Sequence, residues 1–107
     1  MIDLHCHILP GIDDGSANVA TSLAMLAMAQ EDGITHSVMT PHIEPGRFDN
    51  NQASIQAAAD KLQQSRHKFS FSLAAEVRLV PQIMLWAKQG VLPFIGQYRG
   101  QSVLLLE

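Results

Sequence analysis

The chain has 107 residues, 47% hydrophobic and 16% charged, with a net charge of −3, which allows one small folded domain and argues against disorder. The seven Lys and Arg are scattered rather than striped, which argues against an electrostatic nucleic-acid surface. No apolar run approaches the roughly 20 residues of a membrane span, and the opening Met1-Ile2-Asp3-Leu4-His5 is not a signal peptide.

Residues 1–7 read as a strand, and Pro10, Gly11 and Gly15 mark the loop after it. Asn18 suits an N-cap. Val19, Leu23, Leu26, Ala27 and Gln30 recur at near-helical spacing, which predicts a helix over residues 19–32 stopped by Gly33. Residues 34–40 read as a second strand ended by Pro41, and residues 42–48 as a polar loop. Asp49 with Gln52 resembles a capping box. It opens a second helix, with Ile55, Ala58, Ala59 and Leu62 on one face, running to about Arg66. Phe69, Phe71 and Leu73 alternate with Ser70 and Ser72, so residues 69–77 form a third strand. Pro81 fits the first position of a third helix that Gly90 closes. Residues 91–100 read as loop and 102–107 as a fourth strand.

The predicted order is β-α-β-α-β-α-β, an α/β fold with parallel strands and right-handed crossovers. It suits an open sheet or the first part of a barrel. Parallel strands are normally covered on both faces, so a chain ending on a strand is expected to be a partial domain, truncated from one about twice as long. Its open sheet edge is expected to pair with other chains and give homo-oligomers or aggregates. The single cysteine, Cys6, permits no intramolecular disulfide. It reads as a buried thiol in a reducing cytoplasm rather than a nucleophile.

The residues capable of chemistry fall on one rim. His5 and His7 lie at the carboxyl end of the first strand, His42 just past the second, Glu76 at the end of the third, and Glu107 at the end of the fourth. Ligands in α/β sheets and barrels gather at the carboxyl ends of strands. Side chains repeat every two residues along a strand, so His5 and His7 point one way and Cys6 the other. Each residue has a bland alternative. Asp13-Asp14-Gly15 suits a turn, a loop histidine is usually structural, and Glu107 can simply be solvated. Glu76 is harder to dismiss, because a carboxylate among Ala74, Ala75 and Val77 is costly unless paired or bound to a cation. His36 and His67 lie outside the rim. Nitrogen and oxygen donors without thiolate suit Mn²⁺, Fe²⁺, Zn²⁺ or Mg²⁺, and clustered ions suit hydrolysis.

Ile2-Asp3-Leu4-His5-Cys6-His7, Asp13-Asp14-Gly15, Thr40-Pro41-His42, Ala75-Glu76-Val77-Arg78 and Leu106-Glu107 together resemble the PHP (polymerase and histidinol phosphatase) superfamily. The nearest branch is the bacterial manganese-dependent tyrosine-protein phosphatases of capsule and exopolysaccharide synthesis. The resemblance implies the N-terminal half of a distorted TIM-like barrel that carries three metal ions when complete. It implies His5 and His7 on a first ion, Glu76 bridging it to a second, Glu107 on the second, and Asp14 and His42 on a third. It also implies phosphotyrosine hydrolysis by a metal-activated hydroxide, on a tyrosine kinase that regulates polysaccharide export. The family's later His, Asp-x-His and phosphate-gripping arginines have no counterpart here, so the isolated chain is expected to be inactive or weak. Other readings are a related phosphoesterase of the histidinol-phosphate type, a nuclease-like polymerase domain, or a non-catalytic remnant.

Overall fold

The structure is a computed structural model that describes residues 1–65 and 68–107. The predicted helix end at Arg66, and His67, lie outside the described residues.

The first strand, β1 (Ile2–Cys6), leads to the helix α1 (Val19–Glu31). Asn18 caps α1 by accepting the Thr21 N–H at 2.8 Å, and Gly33 takes φ +85° just past its end, as the sequence predicts. Next come β2 (His36–Met39), β3 (His42–Ile43) and α2 (Gln52–Gln63). The chain continues through β4 (Ser70–Leu73), β5 (Glu76–Val77) and α3 (Pro81–Gln89), and closes with β6 (Gly96–Tyr98), β7 (Gln101–Val103) and β8 (Leu105–Leu106). Pro81 opens α3 and Gly90 closes it in the left-handed conformation at φ +72°.

Among the described residues three sheets form, in the orders β1-β2-β4, β3-β5-β8 and β6-β7. The first two are parallel and are two stretches of one set of strand paths. The path through β2 breaks at Pro41, which has no N–H to give a ladder, and resumes as β3. Backbone bonds carry the pairing across the break. Thr40 N–H donates to Cys6 O at 2.9 Å, Ala74 N–H to Met39 O at 2.8 Å, and Glu76 N–H to Pro41 O at 2.9 Å. Parallel neighbours therefore follow chain order, from β1 through β2/β3 and β4/β5 to β8.

The all-parallel β-α-β-α-β-α-β expectation needs several corrections, the first being that the third strand, predicted over 69–77, is split into β4 and β5. Residues 42–48 are not all loop, since β3 lies among them and Glu44 pairs with Phe48. Residues 91–100 contain β6, which pairs with β7 in an antiparallel hairpin. Arg99 and Gly100 turn it, at φ 53° and 79°. Two consecutive positive φ values match the strand twist of a two-residue hairpin, but Arg-Gly lacks the Asn or Asp that usually signals one. The fourth strand is consequently split into β7 and β8. The N-cap of α2 is also not Asp49. Asn51 accepts the Ser54 N–H at 2.9 Å, and Ser54 Oγ accepts the Asn51 N–H at 3.0 Å. Asp49 instead accepts the Gly46 N–H at 2.9 Å within the loop.

The core gathers Ile8, Leu9, Leu26, Met39, Ile43, Ile55, Leu62, Phe69, Val77, Ile83 and Leu92. α1 packs on α2, and α2 on β4. Among the described residues β1 pairs only with β2, and it leaves Ile2 and Leu4 exposed. One buried polar knot matters for the site. Ser22 of α1 is fully buried, with its hydroxyl at hydrogen-bonding distance from Ile8 O and 2.7 Å from Ser16 Oγ. It pins the loop after β1 to the helix. Ser22→Ala leaves a buried carbonyl and a buried hydroxyl short of a partner, so we expect a loss of about 1–3 kcal/mol. An unmoved urea midpoint would contradict this.

Candidate metal centre

The site begins with an irregularity in β1. Asp3 pairs with Ser37 and Cys6 with Met39, so β1 carries one residue more than its partner between these points. Such a bulge redirects side chains locally. Asp3 Oδ1 accepts the His5 N–H at 3.0 Å and satisfies backbone within the bulge. His5 and His7 then converge, with Nε2 atoms 3.2 Å apart. Each Nε2 lies 3.0 Å from the same Glu76 oxygen, Oε2. Cys6 points the opposite way, with Sγ 3.4 Å from Val38 O. Burial, reinforced by the charge of Asp3, pushes its thiol pKa up to about 12. Cys6 is therefore a structural thiol, protonated across the physiological range.

The loop after β1 supplies the second half. The Asp13 side chain is only 1% exposed, and its Oδ2 accepts from His7 Nδ1 at 2.9 Å. The same oxygen accepts the His42 N–H at 3.1 Å, while Oδ1 accepts the Gly15 N–H at 2.9 Å. Burial alone would raise its pKa. The His7 hydrogen bond and the two backbone N–H groups outweigh that and hold the carboxyl below its usual range. Asp14 turns outward, with Oδ1 3.4 Å from His42 Nε2 and Oδ2 4.0 Å from Arg47. His42 stacks between the rings of His7 at 4.6 Å and Phe48 at 5.4 Å. Asn50 donates to both Ile12 O and His42 O at 2.9 Å, tying this loop to the segment after β3.

Glu107 joins from the end of β8. Its N–H donates to Val77 O at 2.9 Å, and its Oε2 lies 3.8 Å from His42 Nδ1. That same Nδ1 is 3.6 Å from Glu76 Oε2, yet it is buried without a hydrogen-bond partner among the described residues. Arg47, which reaches the cluster only through Asp14, and Arg78 share Glu44, at 3.6 and 3.4 Å.

All six residues named from the sequence, His5, His7, Asp14, His42, Glu76 and Glu107, thus meet at one rim. His36 stays apart, bound to Ser70 and Ser72 at 2.7 and 3.1 Å. Sequence reasoning missed Asp13. In an Asp-Asp-Gly turn, nothing local says which carboxylate faces inward. It also missed the Phe48 ring, which the loop reading gave no reason to single out.

The donor set fits a cation. Ligand atoms bonded to one ion at about 2.0–2.2 Å sit about 2.8–3.6 Å from one another, depending on the angle between the bonds. The three separations among His5 Nε2, His7 Nε2 and Glu76 Oε2 are 3.2, 3.0 and 3.0 Å. Without an ion, two imidazoles crowd one carboxylate oxygen and each other. His7, Asp13, Asp14 and His42 form a second group of converging donors. A cation held there would offset the negative charge of these carboxylates.

Comparison with known proteins gives the chain's relatives. Residues 1–92 match the family described as capsular polysaccharide synthesis, CpsB/CapC. The chain is 45% identical over 62 residues to the tyrosine-protein phosphatase YwqE of Bacillus subtilis, covering 58% of this chain and 24% of YwqE. It is 36% identical over 55 residues to the tyrosine-protein phosphatase CpsB of Streptococcus pneumoniae, covering 51% of this chain and 23% of CpsB. It also superposes, with a TM-score of 0.81 and 29% identity, on a crystal structure from work on those two metal-dependent tyrosine phosphatases. That match covers 99% of this chain and 43% of the solved one. The chain therefore spans less than half the length of these relatives.

Proposed function

The chain belongs to the CpsB/CapC family of capsular polysaccharide synthesis, and from that premise we propose that it is the N-terminal part of a metal-dependent protein-tyrosine phosphatase. The observation that carries the reading is the convergence of His5 Nε2 and His7 Nε2 on one oxygen of buried Glu76. We assign His5, His7 and Glu76 to a first cation, Glu76 and Glu107 to a second, and Asp14 and His42 to a third. The 3.4 Å approach of Asp14 to His42 Nε2 supports the last pair. Mn²⁺ is the proposed ion, and the nitrogen and oxygen donors equally accept Fe²⁺, Zn²⁺ or Mg²⁺. Parallel neighbours in chain order support a TIM-like half-barrel with the site at its carboxyl rim.

When bound, such ions lower the pKa of a water and offset charge on the leaving oxygen. The chain's own residues hold and orient that charge at the strand tips. The proposed substrate is phosphotyrosine on a bacterial tyrosine kinase of polysaccharide export, in the cytoplasm. A free, half-buried Cys6 thiol is in keeping with that compartment. No helix among the described residues is long and apolar enough to cross a membrane.

The test replaces the matching segment of a full-length relative with residues 1–107. The chimera is expected to hydrolyse a phosphotyrosine peptide with Mn²⁺ and to stop when a chelator is added. The isolated 107-residue chain is expected to show little turnover, because a preorganised field needs its complete ligand set. A chimera that prefers histidinol phosphate, or that works unchanged in chelator, would overturn the assignment.

A further inference from the structure

Asp13 is the most buried charged group at the site, with its side chain 1% exposed, and the metal assignments above leave it unused. Its two oxygens already accept three N–H groups, from His7, Gly15 and His42, at 2.9–3.1 Å. An ionised carboxylate only accepts hydrogen bonds. His7 must therefore carry a proton on Nδ1, the nitrogen facing Asp13. Its Nε2 is then the atom aimed at Glu76 and at the neighbouring Nε2 of His5. The His42 N–H anchored on the same oxygen sets the spacing between the two histidines, whose rings stack at 4.6 Å.

We propose that Asp13 is a positioning residue that locks His7 with its proton on Nδ1 and so presents Nε2 to a divalent cation, while fixing His42 beside it. The proposal rests on the metal-centre reading. Carboxylates behind ligating histidines orient the ring and raise its basicity, and their loss typically weakens metal affinity about 10–100-fold.

Asp13→Asn keeps the size and one carbonyl oxygen for the Gly15 N–H, but its amide turns a donor toward His7. The ring is then driven to put its proton on Nε2, where it blocks coordination. The experiment titrates the full chain with Zn²⁺, a diamagnetic probe, in native and D13N forms. Nitrogen-15 histidine spectra identify which ring nitrogen of His7 is protonated, in the metal-free chain above neutral pH and in the Zn²⁺ complex. The expected result is Nδ1–H on His7 in both native states and Zn²⁺ affinity about 10–100-fold weaker in D13N. Equal affinity in D13N, or native His7 protonated on Nε2, would overturn the role of Asp13 alone. A native chain that binds no Zn²⁺ would overturn the metal-centre reading with it. The native spectra decide the matter even where D13N folds poorly.

Discussion

Glu76→Gln should weaken cation binding at the two sites it shares by at least about 100-fold, the upper end of what loss of a supporting group costs. Glu76 sits on β5 between buried Ala75 and Val77, and one of its oxygens receives both His5 and His7. The substitution keeps the volume and removes the charge, so packing against the core is preserved. A neutral amide no longer offsets a divalent ion, and its N–H₂ competes for the position that the ion would take. The readout is the metal-induced gain in stability, which cancels any change in the metal-free chain. A ligand at 100 times its Kd adds about 2.7 kcal/mol. Native protein should gain stability on this scale with Mn²⁺, and E76Q should gain much less. Equal gains would remove Glu76 from the centre.

The second large effect belongs to a residue with no side chain. A Cβ added to Gly15 would lie 2.2 Å from His7 O and 2.5 Å from His7 Cβ. The obstacle is the backbone of a site residue, which cannot swing aside. Ser16 N–H donates to that same carbonyl at 3.1 Å, so the loop is held tight against the strand end. Gly15→Ala must push His7 away from Glu76 or open the Asp13 turn. We expect a loss of about 3 kcal/mol, at the upper end of overpacking costs, and metal affinity lost together with it. Gly96 is the control, because a Cβ there meets nothing within 4 Å and its φ is not in the left-handed region. Gly96→Ala should stay within about 0.5 kcal/mol of native. Native-like urea midpoints for G15A would contradict the close-packed loop.

Much of this organisation was legible in the sequence, for physical reasons. Helices announced themselves by caps and stops, as at Asn18, Pro81 and Gly90, because orphan backbone groups at helix ends demand particular residues. The rim was legible because strand period and strand order alone carry His5, His7, His42, Glu76 and Glu107 to one end. What stayed hidden depends on contacts between distant segments. Only the folded loop decides that Asp13, and not Asp14, turns inward toward His7 and the backbone of His42. The bulge in β1 shows only against its partner, where Asp3 and Cys6 span one residue more than Ser37 and Met39. The β6-β7 hairpin hid because Arg99 adopts a positive φ usually left to Asn, Asp or Gly. The capping box moved from Asp49 to Asn51 because both residues suit the position and tertiary packing chose between them.

The central claim is that strand-tip nitrogen and oxygen donors share bound cations. Anomalous diffraction from crystals of this chain grown with Mn²⁺ tests it most directly. The expected map has a peak about 2.0–2.2 Å from His5 Nε2, His7 Nε2 and a Glu76 oxygen, within normal bonding distance for such donors. A well-ordered map with no peak among these three residues would contradict the account.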